Sequence, residues 1–279
     1  MRWLGADASV VTVTSPLDRT SRLTSTSPPP ALELRDVTVA FGGLTALDGV
    51  GLAVAPREVH GVIGPNGAGK TTLFNVACGF VRPDAGSVSR RGEALGRLHP
   101  RDLPGLGMAR TLQGLGLFDR MTVLDNVVVG ADRHGRAGFL AGLLGLGGKD
   151  ERALRERAHA CLVDLEVAAY ADRYPPSLPY AVRKRVALAR ALVAEPELLL
   201  LDEPASGLSS DEMDELGDLV RRLAGSMSVM LVEHHMDLVM AVCDQITVLD
   251  FGRVIASGTP AEVREDPAVV AAYLGESVT

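Results

Sequence analysis

The sequence predicts an α/β domain with a mostly parallel central sheet, an N-terminal antiparallel β portion and an inserted helical subdomain. Strand-like and helix-like segments alternate along the chain, as they do when helices connect parallel strands. The run "ELLLLDEP" at 197–204 is apolar on consecutive residues, which is typical of a central strand covered on both faces. Between Val123 and Ala169 the pattern becomes helical, and this segment is expected to form the inserted subdomain.

The chain divides into a leader, a main domain and a short tail. Residues 1–31 are rich in Ser, Thr and Pro with scattered charges, and they predict a disordered leader without a signal-peptide core. The segment "ALELRDVTVAF" then alternates apolar and polar residues, so order is expected to begin near Leu32. The main domain is predicted over 32–275, with the helical subdomain at about 114–195, and 276–279 form the tail.

Further elements follow in chain order. A strand is predicted over about 58–63, a helix from about Lys70, a second helix over 211–223, and a strand in "SVMLVEH" from 228. The segment "ITVLDFGRVIASG" predicts a hairpin that turns at Gly252. Apolar residues spaced by three and four predict a helix packed on its own domain: Leu154, Ala158, Cys161, Leu162 and Leu165.

Composition narrows the classes of function. The 279 residues are 47% hydrophobic, which supplies a sizeable core, and the net charge of -7 argues against a nucleic-acid partner. Cys78, Cys161 and Cys243 stand far apart, so they suggest buried free thiols rather than a zinc site or disulfides. No stretch approaches the roughly 18 to 20 continuous apolar residues that span a bilayer.

The strongest motif is "GPNGAGKT" at 64–71, which fits G-x-x-x-x-G-K-[ST] between a predicted strand and a predicted helix. Glycines let the backbone wrap phosphates, and the N–H groups of the turn and the following helix point at the anion. Lys70 can then reach the β- and γ-phosphates, and the Thr71 hydroxyl can ligate Mg²⁺. The motif predicts a P-loop NTPase that binds ATP through Gly64, Pro65, Asn66, Gly67, Ala68, Gly69, Lys70, Thr71 and Thr72.

Two carboxylates complete the predicted site at the end of the apolar strand. Asp202 is predicted to hold the metal, and Glu203 to accept a proton from the attacking water. An acidic pair at a strand end is often only a solvated terminus. Here the pair is expected on a strand beside the one that leads into the phosphate loop.

Around these motifs the sequence resembles the ATP-binding subunits of ABC transporters, and most of all the branched-chain amino acid importer (LivG-like) group. The resemblance covers about Leu32 to Gly275. It implies that Phe41 in "FGGLTAL" stacks on adenine, and that Gln113 in "ARTLQGLGLF" contacts the metal or the lytic water. It also implies that His234 in "VEHHMDLVM" is the switch histidine near the γ-phosphate, with His235 in place of the usual aspartate. "SGLSS" matches the D-loop.

The resemblance implies an ATPase at the cytoplasmic face of the plasma membrane, peripheral to it. Its implied partners are transmembrane permease subunits, a second ATP-binding subunit and an extracytoplasmic substrate-binding protein. It also implies ATP and Mg²⁺ as cofactors. The expected activity is ATP hydrolysis that energises uptake of branched-chain amino acids or related small polar solutes.

One motif departs from the family pattern. The signature, usually LSGGQ, reads Leu178-Pro-Tyr-Ala-Val182 here. Pro179 offers neither hydroxyl nor N–H, and Ala181 adds a Cβ where glycine allows the closest approach to phosphate. Because a signature completes the partner's site in this family, an asymmetric heterodimer is favoured over a homodimer. Two alternatives stay open: a soluble ABC ATPase not linked to transport, and an ATP-binding subunit with little hydrolysis of its own.

Overall fold

The computed structural model describes residues 28–111, 115–131 and 148–275. The strands are β1 Leu32–Phe41, β2 Leu44–Val54, β3 Val59–Ile63, β4 Ala85–Arg90, β5 Glu93–Leu95, β6 Met108–Arg110, β7 Leu198–Asp202, β8 Ser228–Val232, β9 Gln245–Asp250 and β10 Arg253–Gly258. The helices are α1 Lys70–Ala77, α2 Val123–Gly130, α3 Gly148–Asp164, α4 Tyr180–Leu192, α5 Ser210–Ala224, α6 Met236–Val242, α7 Pro260–Glu265 and α8 Pro267–Gly275.

The strands form two sheets. A four-stranded antiparallel sheet has the order β2-β1-β4-β5, and a six-stranded sheet has the order β10-β9-β3-β8-β7-β6. In the larger sheet every pairing is parallel except the β9–β10 hairpin, which turns at Gly252 with φ 76°. The predicted α/β class, with its parallel central sheet and N-terminal antiparallel portion, is confirmed.

Alternate residues of the central strands supply two separate cores. In β7, Leu199 and Leu201 pack into a core shared with helices α2 to α8, while Leu198 and Leu200 pack into the core beneath the antiparallel sheet. All five residues of β7 are buried. The consecutive apolar run was therefore correctly interpreted as a strand covered on both faces.

The strand order corrects one expectation about the site. The strand β7, which ends in Asp202, is separated from β3 by β8. Val232 of β8 pairs with Val62 of β3 on one side and with Asp202 of β7 on the other. The ends of these three strands therefore lie side by side. Strand alternation along the sequence does not determine which strand enters the middle of the sheet, so adjacency could not be deduced from it.

The described chain between β6 and β7 is helical. The predicted helical stripe lies on α3, where Ala158 and Leu162 are fully buried against α2 and α4. The buried Asn126 of α2 accepts from the Phe118 N–H and donates to the Phe118 carbonyl, which ties the preceding loop to this helix. Helix α4, which carries the altered signature, also contacts β6 of the main sheet.

The boundary of the predicted leader needs a correction at its last residue. Ala31 is buried, and its N–H donates to the Val54 carbonyl at 2.7 Å, so backbone pairing begins before Leu32. Residues 1–27 of the leader, Gln113 and the tail 276–279 lie outside the described residues.

Two of the three cysteine thiols are fully buried. Cys78 and Cys243 have pKa values raised to about 12 by burial, which keeps both thiols protonated at neutral pH. Cys161 is half-buried, and burial raises its pKa as well. Within the described ranges, no helix combines the length and the apolar character needed to cross a bilayer.

Candidate nucleotide-binding site

The glycine loop after β3 adopts a backbone that only glycine tolerates at two positions. Gly64 has φ 149°, and a Cβ there would lie 2.1 Å from the Leu249 carbonyl oxygen. Gly69 has φ 101°, and a Cβ there would lie 2.6 Å from the Ala46 carbonyl oxygen. The loop is thus pressed between β9 and β2, which forces its N–H groups into a compact turn before α1.

Lys70 begins α1 and turns its side chain back over the loop. Its Nζ donates to the Gly64 carbonyl at 2.5 Å and to the Pro65 carbonyl at 2.8 Å, and the residue is only 9% exposed. The ammonium group is therefore held at the mouth of the loop, next to the helix N-terminus. Phosphate oxygens would meet a fixed positive charge there together with oriented N–H groups.

The β9–β10 turn braces this loop. The Gly252 N–H donates to the Ala68 carbonyl at 3.0 Å, and the Gly252 carbonyl accepts from the Asp48 N–H at 2.8 Å. The "DFG" turn thus joins the phosphate loop to β2, a role that its local sequence did not indicate.

The carboxyl ends of β3, β8 and β7 bring the polar residues of the site to one edge of the sheet. The Glu203 N–H donates to the Val232 carbonyl at 2.9 Å, and the Glu233 N–H donates to the Val62 carbonyl at 3.3 Å. Ligands of open parallel sheets bind outside such strand ends. The phosphate loop, the Asp202–Glu203 pair and the His234 segment therefore occupy neighbouring positions on one edge of the sheet.

Asp202 and Glu203 differ in their environments. Burial raises the pKa of Asp202, with Glu203 and Glu233 adding to the rise and Arg110 opposing it. The Arg110 guanidinium also lies 5.4 Å from the centre of the Phe74 ring and 4.4 Å from that of Phe80. Glu203 has φ 47°, a left-handed conformation that is costly for a residue with a Cβ.

Glu233 is a residue of this site that the sequence analysis missed. Its side chain is fully buried between the segment after β7 and the segment after β8. Its Oε1 accepts from the Ala205 N–H, while its Oε2 accepts from the His234 N–H and lies 2.9 Å from His235 Nδ1. The only signal in the sequence was an acidic residue directly before the predicted switch histidine, and its burial became visible only in the structure.

The departure at position 235 has a local explanation. An aspartate there would bring a second carboxylate towards Glu233, whereas the imidazole of His235 can donate to it. His234 leaves half of its side chain exposed, and its ring centre lies 4.2 Å from that of His235. His234 is thus the more exposed of the two rings, and His235 is the one held against Glu233.

The other predicted ligand contacts lie around the loop. Phe41 ends β1, is 51% exposed and pairs with Leu44, whose strand β2 passes Gly69 at Ala46. Thr71 is exposed and Thr72 half-buried on the first turn of α1. Gln113 falls outside the described residues, so its predicted contacts have no counterpart in the structure.

The altered signature forms the start of α4. Pro179 is the N-cap residue and makes no side-chain capping hydrogen bond. Tyr180 lies against the D-loop segment, since a Cβ on Gly207 would come within 3.0 Å of its ring. Lys184 donates from Nζ to the Pro204 carbonyl at 2.5 Å, so α4 also contacts the segment that follows Asp202 and Glu203.

A compact glycine loop, a lysine at its mouth and paired carboxylates on the same sheet edge define a P-loop nucleotide-hydrolysing protein. The model for the family described as ABC transporter matches residues 47–206, and that described as branched-chain amino acid ATP-binding cassette transporter matches 253–279. The chain therefore belongs to the ABC transporter family and is an ABC-type ATPase of the branched-chain amino acid transporter group.

Similar proteins cover almost the whole main domain. The branched-chain amino acid transport ATP-binding protein BraF of Pseudomonas aeruginosa is 40% identical over 89% of this chain and 99% of its own length. LivG of Escherichia coli is 37% identical over the same shares. The solved ADP conformation of MJ1267, an ATP-binding cassette of an ABC transporter, has a TM-score of 0.76 and 31% identity, covering 88% of this chain and 99% of that one.

We predict that Asp202→Asn stabilises the nucleotide-free protein at pH 7. A raised carboxyl pKa means that the ionised form costs folding free energy above that pKa, and asparagine removes the charge at nearly constant volume. We expect the melting temperature to rise by about 1–3 °C, measured by circular dichroism. Asp172→Asn, at an exposed carboxyl, is the control. A lower melting temperature for Asp202→Asn alone would contradict the prediction.

Proposed function

We propose that this chain hydrolyses Mg²⁺-bound ATP and thereby energises uptake of branched-chain amino acids or related small polar solutes. The observation that carries the proposal is the alignment of the phosphate loop, Asp202–Glu203 and His234 at one sheet edge. The solute class rests on the relatives, because BraF and LivG are named for branched-chain amino acid transport.

The proposed chemistry assigns a role to each group. The loop N–H groups from Asn66 to Thr72 and the Lys70 ammonium bind the β- and γ-phosphates. Water attacks the γ-phosphorus while the bond to the bridging oxygen breaks, and Glu203 accepts the proton of that water. His234 faces the γ-phosphate, and Phe41 stacks on the adenine. The products are ADP and inorganic phosphate.

Mg²⁺ fits the oxygen donors of this edge. A hydroxyl from Thr71, a carboxylate from Asp202 and an amide oxygen from Gln113 are hard ligands of the kind that Mg²⁺ prefers. The buried Asp202 carboxylate has a raised pKa, so a bound cation would offset part of its desolvation cost. When bound, the ion would neutralise phosphate charge.

We assign the chain to a peripheral position on the cytoplasmic face of the plasma membrane, against transmembrane permease subunits. As a component of an ABC transporter it acts with membrane partners, and the importer group implies an extracytoplasmic substrate-binding protein. A second ATP-binding subunit faces it, as in the solved dimer of MJ0796 with ADP and phosphate, which is 25% identical with a TM-score of 0.69.

We further propose that this second subunit is a different chain. Pro179 supplies no hydroxyl and no cap at the start of α4, although the N–H groups of Tyr180, Ala181 and Val182 remain. In a heterodimer this weakened signature would serve only the partner's nucleotide. The intact phosphate loop of this chain would then act against a partner with a complete signature.

The test compares Mg²⁺-dependent ATP hydrolysis by three purified forms: wild type, Lys70→Ala and the repaired Ala181→Gly, Val182→Gln variant. We expect wild type to bind ATP but to turn it over slowly, because a homodimer would have the weak signature at both sites. The repaired variant should hydrolyse ATP about ten-fold or more faster, since a close backbone approach to phosphate is restored.

Fast turnover by wild type that disappears in Lys70→Ala would overturn the heterodimer and leave the ATPase in place. Equal, slow rates in wild type and the repaired variant would show that Ala181 and Val182 are not what limits turnover. Absence of ATP binding by wild type would contradict the proposed nucleotide site itself.

A further inference from the structure

The fully buried carboxylate of Glu233 joins two segments that hold proposed catalytic groups. Its Oε1 accepts from the Ala205 N–H at 2.7 Å, in the segment that follows Glu203. Its Oε2 accepts from the N–H groups of His234 at 2.9 Å and His235 at 3.2 Å, in the segment that follows β8. His235 Nδ1 lies 2.9 Å from the same Oε2.

These donors can all be satisfied only by a side chain in which both terminal atoms accept hydrogen bonds. A buried carboxylate is costly unless hydrogen bonds compensate for its lost hydration, and Glu233 receives three backbone N–H groups and one imidazole. An amide in its place would turn an NH₂ group towards one of these donors. A methyl group would leave all of the donors without their acceptor.

The segment that Glu233 holds contains a strained residue. Glu203 has φ 47°, and its own N–H is bonded to the Val232 carbonyl, directly before Glu233. Strained backbone persists only where surrounding contacts determine it. From α4, Lys184 donates to the Pro204 carbonyl at 2.5 Å, so a second contact holds the same segment.

We propose that Glu233 is a positioning residue that holds Glu203 and His234 in the relative arrangement that hydrolysis requires. The inference rests on the proposed catalytic roles of these two residues. Glu233 is buried with no exposed side-chain surface, so it acts through the two segments and not through contact with the nucleotide. Its loss should therefore lower turnover and leave ATP binding by the phosphate loop intact.

The test measures kcat and KM for ATP on the transporter complex purified through a tag on this chain. We expect Glu233→Gln to lower kcat about 10- to 100-fold, as loss of a supporting contact does at other sites, with KM changed less than about two-fold. Asp244→Asn is the matched control, because the Asp244 carboxylate accepts from the Val59 N–H at 2.9 Å at the opposite end of β3. It should keep the wild-type kcat.

A double-mutant cycle separates positioning from general damage. If Glu233 acts through His234, then Glu233→Gln combined with His234→Ala should lose little more than His234→Ala alone. Losses that are additive both with His234→Ala and with Glu203→Gln, or a wild-type kcat in Glu233→Gln, would overturn the inference. Lys70→Ala and Glu203→Gln are assayed alongside: if these two changes leave hydrolysis intact, the proposed function fails as well, and if they abolish it, only the positioning role is in question.

Lys184→Met provides a second variant should Glu233→Gln fail to fold, as judged by its melting temperature. The change removes the hydrogen bond to the Pro204 carbonyl and retains the apolar stem, leaving Glu233 in place. We expect a smaller fall in kcat, about three- to ten-fold, with unchanged ATP affinity. An unchanged kcat in Lys184→Met would contradict the view that restraint of this segment limits hydrolysis.

Discussion

In the complex with its partner subunits, replacing Lys70 by alanine is expected to lower ATP hydrolysis about a thousand-fold or more. The Lys70 ammonium is the cation that the structure holds at the mouth of the phosphate loop, and backbone N–H groups alone cannot replace its charge. ATP should also lose most of its stabilising effect on the protein, because ligand stabilisation scales with the logarithm of affinity. The measurements are phosphate release and the ATP-induced shift in melting temperature.

Lys70→Arg tests whether charge alone suffices. The planar guanidinium keeps the charge but cannot occupy the space of a compact ammonium between the Gly64 and Pro65 carbonyls. We therefore expect both Lys70→Ala and Lys70→Arg to lose ATP hydrolysis. Hydrolysis by Lys70→Ala within ten-fold of wild type would contradict the assignment of this loop as the phosphate site.

Glu203→Gln is expected to lower kcat about 100- to 1,000-fold while ATP stays bound. Glutamine keeps the shape of the side chain but cannot accept a proton from water. We expect the ATP-bound variant to persist as a closed dimer with its partner subunit, which can be followed by size-exclusion chromatography with labelled ATP. Rapid hydrolysis by this variant would assign the proton acceptor to another group.

Glu195→Gln is the matched control for this substitution. Glu195 has φ 49°, close to the φ of 47° at Glu203, but it is exposed and pairs with Arg157 at the end of the helical region. We expect it to retain the wild-type rate. The comparison also addresses the alternative of a subunit that binds ATP with little hydrolysis, for which Glu203→Gln and Glu195→Gln would both match wild type.

Local sequence was sufficient for the phosphate loop and for the central strands. A loop pressed between β2 and β9 at Gly64 and Gly69 requires glycine, and the lysine must follow directly to begin α1. The apolar run of β7 similarly indicates a buried strand, because the residues of a strand covered on both faces are mostly apolar. In both cases the structural requirement falls on residues that are adjacent in the chain, so the local sequence pattern is enough to predict it.

The relation between Glu203 and Glu233 could not be deduced in the same way. Their segments meet because β8 lies between β3 and β7, and this placement results from packing of whole strands into two cores. Glu233 precedes a histidine in a short polar stretch whose composition is compatible with an exposed loop. Its complete burial and its contact with Ala205, both of which depend on the tertiary structure, distinguish it from such a loop residue.

By itself the sequence determined the α/β class, the phosphate loop, the paired carboxylates and the departure at Pro179, since each depends on residues close together in the chain. The tertiary structure alone decided that β8 separates the two halves of the site, that Gly252 braces the loop and that Glu233 joins the segments of Glu203 and His234. The physical reason is that hydrogen bonds between distant segments form only once the strands have packed in one order.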